Sequence, residues 1–307
     1  MSAIKNVILL GAAGDLGKYI YAALVDADFD VTVISRPESN SIYPASARVI
    51  KTEYSLEGLT EAFRGHDAVV SSIAVPAAFA QFVMIDAAIA AGVKRFIPSY
   101  FGYAVDKTPL PEMEPFSAPK TEVLKYLEDR VVATAEPGLT YSSVACGVFI
   151  DWAMKKFPVI GGYQKERRMN IFDSGNATFT GTTMEGIATS VAGILKNPGP
   201  TANRHVKVRS IQTSQNEIVA AFEKVTGHEW TKTYLDSEET YAVAKEKLKV
   251  NDRSAILDLL SVVLFRDGGG QGIVASREAS DNEMVGLQEE DIETIVRRVL
   301  NPNELPM

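Results

Sequence analysis

The sequence predicts an α/β protein: a doubly wound parallel sheet flanked by helices, followed by a smaller α+β region. Three observations predict it. Short, β-branched apolar runs alternate with segments of helical spacing through the first half of the 307 residues. A glycine-rich turn, Gly11-Ala12-Ala13-Gly14-Asp15-Leu16-Gly17, joins the first such run to the first helical segment. Beyond about residue 147 the alternation gives way to a mixed pattern. Strand–helix alternation implies parallel pairing, because successive parallel strands need a crossover between them.

In chain order, strand-like runs fall at 4–10, 31–35, 47–51, 67–73, 94–98 and 139–145, with helical spacing at 15–27, 56–65, 76–92 and 117–134. Val7-Ile8-Leu9-Leu10 and Val31-Thr32-Val33-Ile34 are continuous apolar runs, as strands buried on both faces require. Leu16, Ile20 and Leu24 recur at helical spacing directly after the glycine turn. Further on, strand-like pieces lie near 169–173 and 177–180, a helix at 184–196 and a strand at 205–208. Helices follow near 214–226, 237–248, 251–264 and 289–300. Pro198-Gly199-Pro200 and Asp267-Gly268-Gly269-Gly270 mark loops. The division expected is a Rossmann nucleotide-binding domain over 1–150, with the 184–196 helix returning to pack on it. A smaller, interleaved substrate-binding region covers 151–307.

A strand, a tight glycine turn and a helix N-terminus make a phosphate site, because unpaired N–H groups and the positive dipole end meet the anion there. An NAD site places an acidic residue on the ribose about twenty positions past the glycines. Here Arg36 ends the second strand. A guanidinium pairs bidentately with a 2′-phosphate, so the expected cofactor is NADP(H). Lys51 either adds charge there or is a surface lysine. Ligands of such sheets bind at the strand C-terminal ends. Gly11, Arg36, Ser71-Ser72-Ile73, Pro98-Ser99 and Cys146-Gly147 all fall on that edge. The cofactor contacts expected are Gly11, Ala13, Gly14, Asp15, Leu16, Gly17, Arg36, Ser72, Ile73, Ser99, Lys120 and Gly147.

Bulk properties exclude several classes. A net charge of −8 with no basic cluster gives no footprint for nucleic acid. The single cysteine, Cys146, excludes an internal disulfide and fits a reducing compartment; it reads as a small buried packing residue. His66, His205 and His228 are too far apart to suggest metal-ligand spacing, so no metal is expected. The opening residues run straight into the first strand, without a leader pattern, and no apolar run is long enough to span a bilayer. The expectation is a cytoplasmic monomer or homodimer with a small-molecule partner and no membrane.

Short-chain reductases use a Tyr-x-x-x-Lys pair on one helix face, the tyrosine serving as acid. At the matching place this chain has Lys120, but Phe116 stands at the tyrosine position. The string Tyr241-x-x-x-Lys245 lies elsewhere and reads as chance. Gly11-x-x-Gly14-x-x-Gly17, Ser35-Arg36, the segment Ala87-x-x-Ala90-Ala91-Gly92-Val93-Lys94-Arg95-Phe96-Ile97-Pro98-Ser99-Tyr100-Phe101-Gly102, and Lys120 together resemble the NmrA-like, isoflavone-reductase-like branch of the atypical short-chain dehydrogenases. The resemblance is good from residue 4 to about 150. It implies NADPH as hydride donor, an aromatic or conjugated substrate, and a single lysine, here Lys120, as acid–base group. Burial beside a cationic nicotinamide would lower that lysine's pKa from about 10.4.

Plant members carry a glutamate where this chain has Tyr100. Its ring either walls the pocket or packs, and its hydroxyl could assist proton transfer. Ser99 either bonds the nicotinamide side or caps the strand end. Tyr100, Phe101, Tyr103 and Phe149 are the expected substrate contacts, with Asp151 structural. The function expected is NADPH-dependent reduction of a small phenolic or polyketide-like metabolite of secondary metabolism. The alternatives are a non-catalytic NADP(H)-binding regulator of the NmrA type and a redox-neutral, NADP-dependent isomerase. Lys120 and an aromatic cleft favour the enzyme, since a sensor needs neither.

Overall fold

A computed structural model describes residues 3–103, 110–134, 138–156, 160, 162–270 and 272–301. The first apolar run forms β1 (Asn6–Leu10), with Val7 to Leu10 sealed from solvent. It pairs in parallel with β2 (Asp30–Ser35) on one side and β4 (Ala68–Ser71) on the other. β3 (Arg48–Lys51) lies outside β2. From β4 the sheet continues through β5 (Arg95–Ile97), β7 (Thr140–Ala145) and β12 (Arg204–Lys207), and β6 (Phe101–Gly102) also pairs with β7. Every pairing is parallel, in the order β12-β7-β5-β4-β1-β2-β3. The strand order reverses at β1 and β4, so a crevice opens beyond their C-terminal ends.

Both faces of this sheet are covered. α1 (Asp15–Asp26) and α6 (Met184–Lys196) bury Leu16, Ile20, Leu24, Ile187 and Val191 on one face. α2 (Leu56–Phe63), α3 (Ala80–Ala90) and α4 (Glu114–Ala133) pack on the other. The helix at 184–196 thus returns to lie on α1, and β12 extends the main sheet. Arg95 of β5 is fully buried and ties these parts together. Its guanidinium donates to Thr140 Oγ1 (2.9 Å), Ser142 Oγ (2.8 Å) and Thr201 Oγ1 (3.0 Å), and to the Pro198 carbonyl (2.5 Å).

The remaining elements build a second core around Phe172, Phe179, Phe222, Trp230 and Phe265. β8 (Val148–Phe149) leads into α5 (Ile150–Lys156), followed by β9 (Gly162–Tyr163), β10 (Arg168–Phe172) and β11 (Phe179–Thr182). Then come β13 (Ile211–Thr213), α7 (Gln215–Thr226), β14 (Thr231–Leu235), α8 (Ser237–Lys249), α9 (Ala255–Phe265), α10 (Asn282–Val285) and α11 (Ile292–Leu300). They form two three-stranded sheets, β14-β10-β9 and β13-β11-β8.

Several elements differ from the sequence expectation. The helix expected at 76–92 splits into a 3-10 turn at Val75–Ala77, where Pro76 fits a first turn, and α3. α4 starts at Glu114, three residues before its expected start, with Pro115 in its first turn and Pro119 inside it. β6, β8, α5, β9, β13, β14 and α10 were not expected. β14 shows four of five residues exposed, so no apolar alternation marks it.

Candidate active site

The crevice is built first by backbone. Gly11 takes φ +82°, and a β-carbon there would stand 2.3 Å from the Ser72 carbonyl oxygen. A β-carbon on Gly17 would stand 2.0 Å from the Gly11 carbonyl oxygen, so this glycine lets α1 press onto the turn. Gly14 is different: it is the N-cap of α1 at φ −70°, with no side-chain cap on the helix end. A β-carbon there would meet only the Gly11 oxygen closely, at 3.2 Å. One glycine makes the turn, one leaves room above the helix end, and one permits close packing, the division of labour a pyrophosphate cradle needs. Leu16 packs its side chain in the core, and Ala13 lies on the turn itself.

Arg36 leaves the end of β2 with its side chain 63% exposed and Nε 3.2 Å from Glu38. Lys51 Nζ donates to the carbonyls of Ser39 (3.0 Å) and Pro37 (3.4 Å), bracing the loop that carries Arg36. Beyond β4, Ser72 N donates to the Leu10 carbonyl, and Ile73 O accepts the Ser99 hydroxyl at 2.7 Å. Ser99 N donates to Oε1 of Gln81, also at 2.7 Å. Ser99 thus stitches two strand ends, its proton committed to Ile73. Gln81, buried on α3, where Asp86 is the other polar residue, was missed; a lone amide in a mostly apolar helix was its signal. Gly147 takes φ +64°, where a β-carbon would stand 2.5 Å from the Thr180 carbonyl oxygen.

Lys120 projects from α4 to the same edge, and its Nζ donates to the Phe101 carbonyl at 3.1 Å. Loss of water around the ammonium pulls its pKa below the usual lysine value; nearby Cys146 acts in the opposite sense. Cys146 is fully buried, and its thiol is pushed up to about 12 by that burial, so it packs rather than reacts. Asp151, also buried, accepts from the main-chain N of Trp152 and Met184, holding the start of α6.

Two of the expected pocket walls lie within the cores. Tyr100, just before β6, packs in the core under α3 and α4, and Phe101, the first residue of β6, packs in the core under α1 and α6. Tyr103 lies at the junction of the second core with a small cluster formed by Met113, Ala244, Leu259 and Val263, and burial raises its phenol. Phe149 packs half-buried against the first core. Phe116 borders the Met113 cluster. Tyr241 donates to Glu112 Oε1 at 2.7 Å, with Lys245 Nζ 4.5 Å from its ring centre, so that string serves packing between α8 and the segment before α4.

Away from the sheet edge, a cleft of about 670 Å³ runs along α1, α6 and α10 and contains none of the expected site residues. Among the described residues there is no cluster of three metal-ligating side chains, and no helix is long and apolar enough to cross a membrane.

Two contacts at the cradle had no sequence signal. The Asp15 carboxylate accepts from Trp152 Nε1 and Lys156 Nζ, both at 2.8 Å and both from α5. These bonds, Lys156 foremost, hold its pKa below the usual carboxylate range.

The chain is similar to known proteins along nearly its whole length. "Oxidoreductase poxI" of Penicillium oxalicum is 38% identical over 290 residues, covering 94% of this chain and 92% of that protein. "Oxidoreductase aprR" of Aspergillus flavus is 32% identical over 299 residues, covering 96% and 98%. Among solved structures, AtPrR2 with NADP+ and (+)pinoresinol superposes with a TM-score of 0.78 at 20% identity, covering 98% of this chain and all of that one. The model of the NmrA-like family matches residues 4–296, the span that holds the glycine cradle, Arg36 and Lys120, and the chain belongs to that family.

Proposed function

We propose that this protein is an NADPH-dependent reductase of a small aromatic or conjugated metabolite, with Lys120 as its acid–base group. The observation that carries the reading is a desolvated lysine on the same sheet edge as an open glycine cradle. The oxidoreductase class rests on the relatives that bear that name at 38% and 32% identity. The choice of nucleotide is supported by Arg36 and by the NADP+ complex of the structural neighbour. In this reading residues 1–150, with α6 and β12, hold the nucleotide, and the rest of the chain shapes the substrate side.

The residues fit such a nucleotide. The first N–H groups of α1 and the turn over Gly14 receive the pyrophosphate, and Arg36 receives the 2′-phosphate. When bound, the reduced nicotinamide supplies a hydride to an electrophilic carbon. Lys120 would hand a proton from Nζ to the substrate's carbonyl oxygen, or to the phenolate oxygen that a conjugated carbonyl becomes, as hydride arrival puts charge there, and would regain one from solvent after release. The Phe101 carbonyl occupies one of its three donor directions and fixes the others. A lowered pKa brings this transfer nearer neutral pH. Tyr103, beside the second core, and Phe149, against the first, offer aromatic surface.

The test is a panel of phenolic and conjugated carbonyl compounds followed by NADPH oxidation, with the Lys120→Ala variant alongside. The expected result is oxidation coupled to product in the wild type and none in the variant, whose NADPH affinity stays within about twofold of wild type, since the phosphate contacts assigned to the glycine turn, α1 and Arg36 are unchanged. Undiminished turnover in the variant removes Lys120 from the mechanism. Product formed without net NADPH consumption replaces the reductase with a redox-neutral enzyme.

A further inference from the structure

The first residue of α1 poses an electrostatic problem. Asp15 follows the N-cap Gly14 directly, where the helix dipole would hold a carboxylate against the open cradle. A negative charge there opposes a pyrophosphate. The carboxylate is turned aside, and both of its side-chain partners, Trp152 and Lys156, come from α5. They are 137 and 141 residues away in sequence. The side chains of Asp15 and Lys156 are 45% and 55% exposed. An exposed ion pair of this kind adds little to stability. Its consequence is local: it removes a net charge from the rim of an anion site.

α5 is anchored independently of this contact. Asp151 on its first turn accepts from Met184 N at the start of α6, and Lys155 Nζ donates to the Arg298 carbonyl at 3.2 Å. Trp152 and Lys156 therefore approach Asp15 from a fixed helix. Lys18, one turn along α1, borders the same small cleft as Asp15, Trp152, Lys155 and Lys156.

We infer that Lys156 and Trp152 are positioning residues for the nucleotide: they draw the Asp15 carboxylate out of the phosphate cradle and neutralise it, so that α1 presents a positive end to the pyrophosphate. This rests on the nucleotide reading above. It also makes nucleotide affinity depend on α5, an element of the opposite half of the chain. The helix end and the glycines bind; the α5 pair only governs the charge beside them.

Lys156→Ala, Asp15→Asn and the double variant separate the possibilities, with NADPH binding measured by calorimetry at low and at high salt. Wild type sets the reference. Lys156→Ala is expected to weaken binding about tenfold at low salt, and less at high salt, because it frees a negative charge at the first residue of α1, beside the cradle. Asp15→Asn is expected to bind more tightly than wild type. In the Asp15→Asn background the further change Lys156→Ala is expected to cost twofold at most, because no carboxylate remains to be shielded. A Lys156→Ala loss that persists in full in that background overturns the inference and makes Lys156 a direct phosphate contact. Wild-type affinity in Lys156→Ala overturns it as well. Absence of binding in the wild type itself refutes the nucleotide reading beneath it. Circular dichroism melts of the four proteins guard against misfolding, and no large difference is expected from so exposed a pair.

Discussion

Gly17→Ala isolates what the third glycine of the turn does. The added methyl would stand 2.0 Å from the Gly11 oxygen, 2.8 Å from its carbonyl carbon and 2.9 Å from the Ala12 α-carbon. All three are backbone atoms, so no rotamer relieves the overlap. Contact at an ordinary 3.4 Å or so requires α1 and the turn to part by more than an ångström. Overpacking of this kind costs about 3 kcal/mol, against at most about 1 kcal/mol gained on replacing a helical glycine by alanine. The balance, about 2 kcal/mol, lowers the melting temperature on the order of 5 °C. The functional loss is larger, because a 1 Å misplacement of a binding group costs on the order of 100-fold. Gly14→Ala is the companion variant. Its φ is ordinary and its nearest clash only 3.2 Å, so it should melt within about 2 °C of wild type, while its methyl occupies the space the pyrophosphate needs. Thermal melts and calorimetric NADPH titration of both variants test the assignment. Wild-type affinity in Gly17→Ala, or a larger melting loss in Gly14→Ala than in Gly17→Ala, would refute the division of labour drawn from the geometry.

Three further outcomes are expected. Arg36→Ala should weaken NADPH binding tenfold or more while NADH binding changes little, since a guanidinium–phosphate pair is charge-assisted; equal losses for both nucleotides, read by fluorescence titration, speak against a 2′-phosphate contact. Lys120→Met should raise thermal stability near neutral pH. The folded state lowers the lysine's pKa, so it binds fewer protons than the unfolded chain between the lowered value and 10.5. The burial cost is therefore full below the lowered pKa and fades as pH rises toward 10.5, and the gap between variant and wild type should narrow over that window. A gap that widens with pH would contradict this sign. Arg95→Lys should destabilise by about 3 kcal/mol in urea unfolding, because an ammonium cannot reach the Thr140, Ser142, Thr201 and Pro198 oxygens together; an unchanged midpoint would deny Arg95 its tying role.

What was legible in the sequence is what the local chain imposes by itself. Gly11, Gly14 and Gly17 sit next to one another along the backbone, and their steric demands follow from a strand–turn–helix whose strand and helix periods are both plain in the sequence. The sheet of six early strands and the returning helix at Met184–Lys196 were legible for the same reason. Tyr100 and Phe101 show where this stops. Phe101 opens a two-residue strand paired with β7, Tyr100 lies just before it, and so short a strand carries no period from which the face of either ring could be read. Residues Thr231–Leu235 show the same limit from the other side: a strand at the margin of a small sheet buries almost nothing, so selection for apolar alternation is weak there.

The candidate site divides in the same way. Lys120 could be placed on the correct helix and edge from spacing and resemblance, yet the Phe101 carbonyl that orients it belongs to β6, which the sequence does not announce. Asp15 was legible as a residue of the cradle, but not as a charge needing a partner, because its partners stand on α5, 137 and 141 residues further along the chain, where the two cores meet. A carboxylate beside an anion site looks like a defect when the turn is considered alone. It becomes intelligible only when the second half of the chain is folded against the first. The cradle's shape is thus written locally, whereas its electrostatics are completed by contacts that cross the whole fold, so substitutions on α5 belong among those that tune nucleotide affinity.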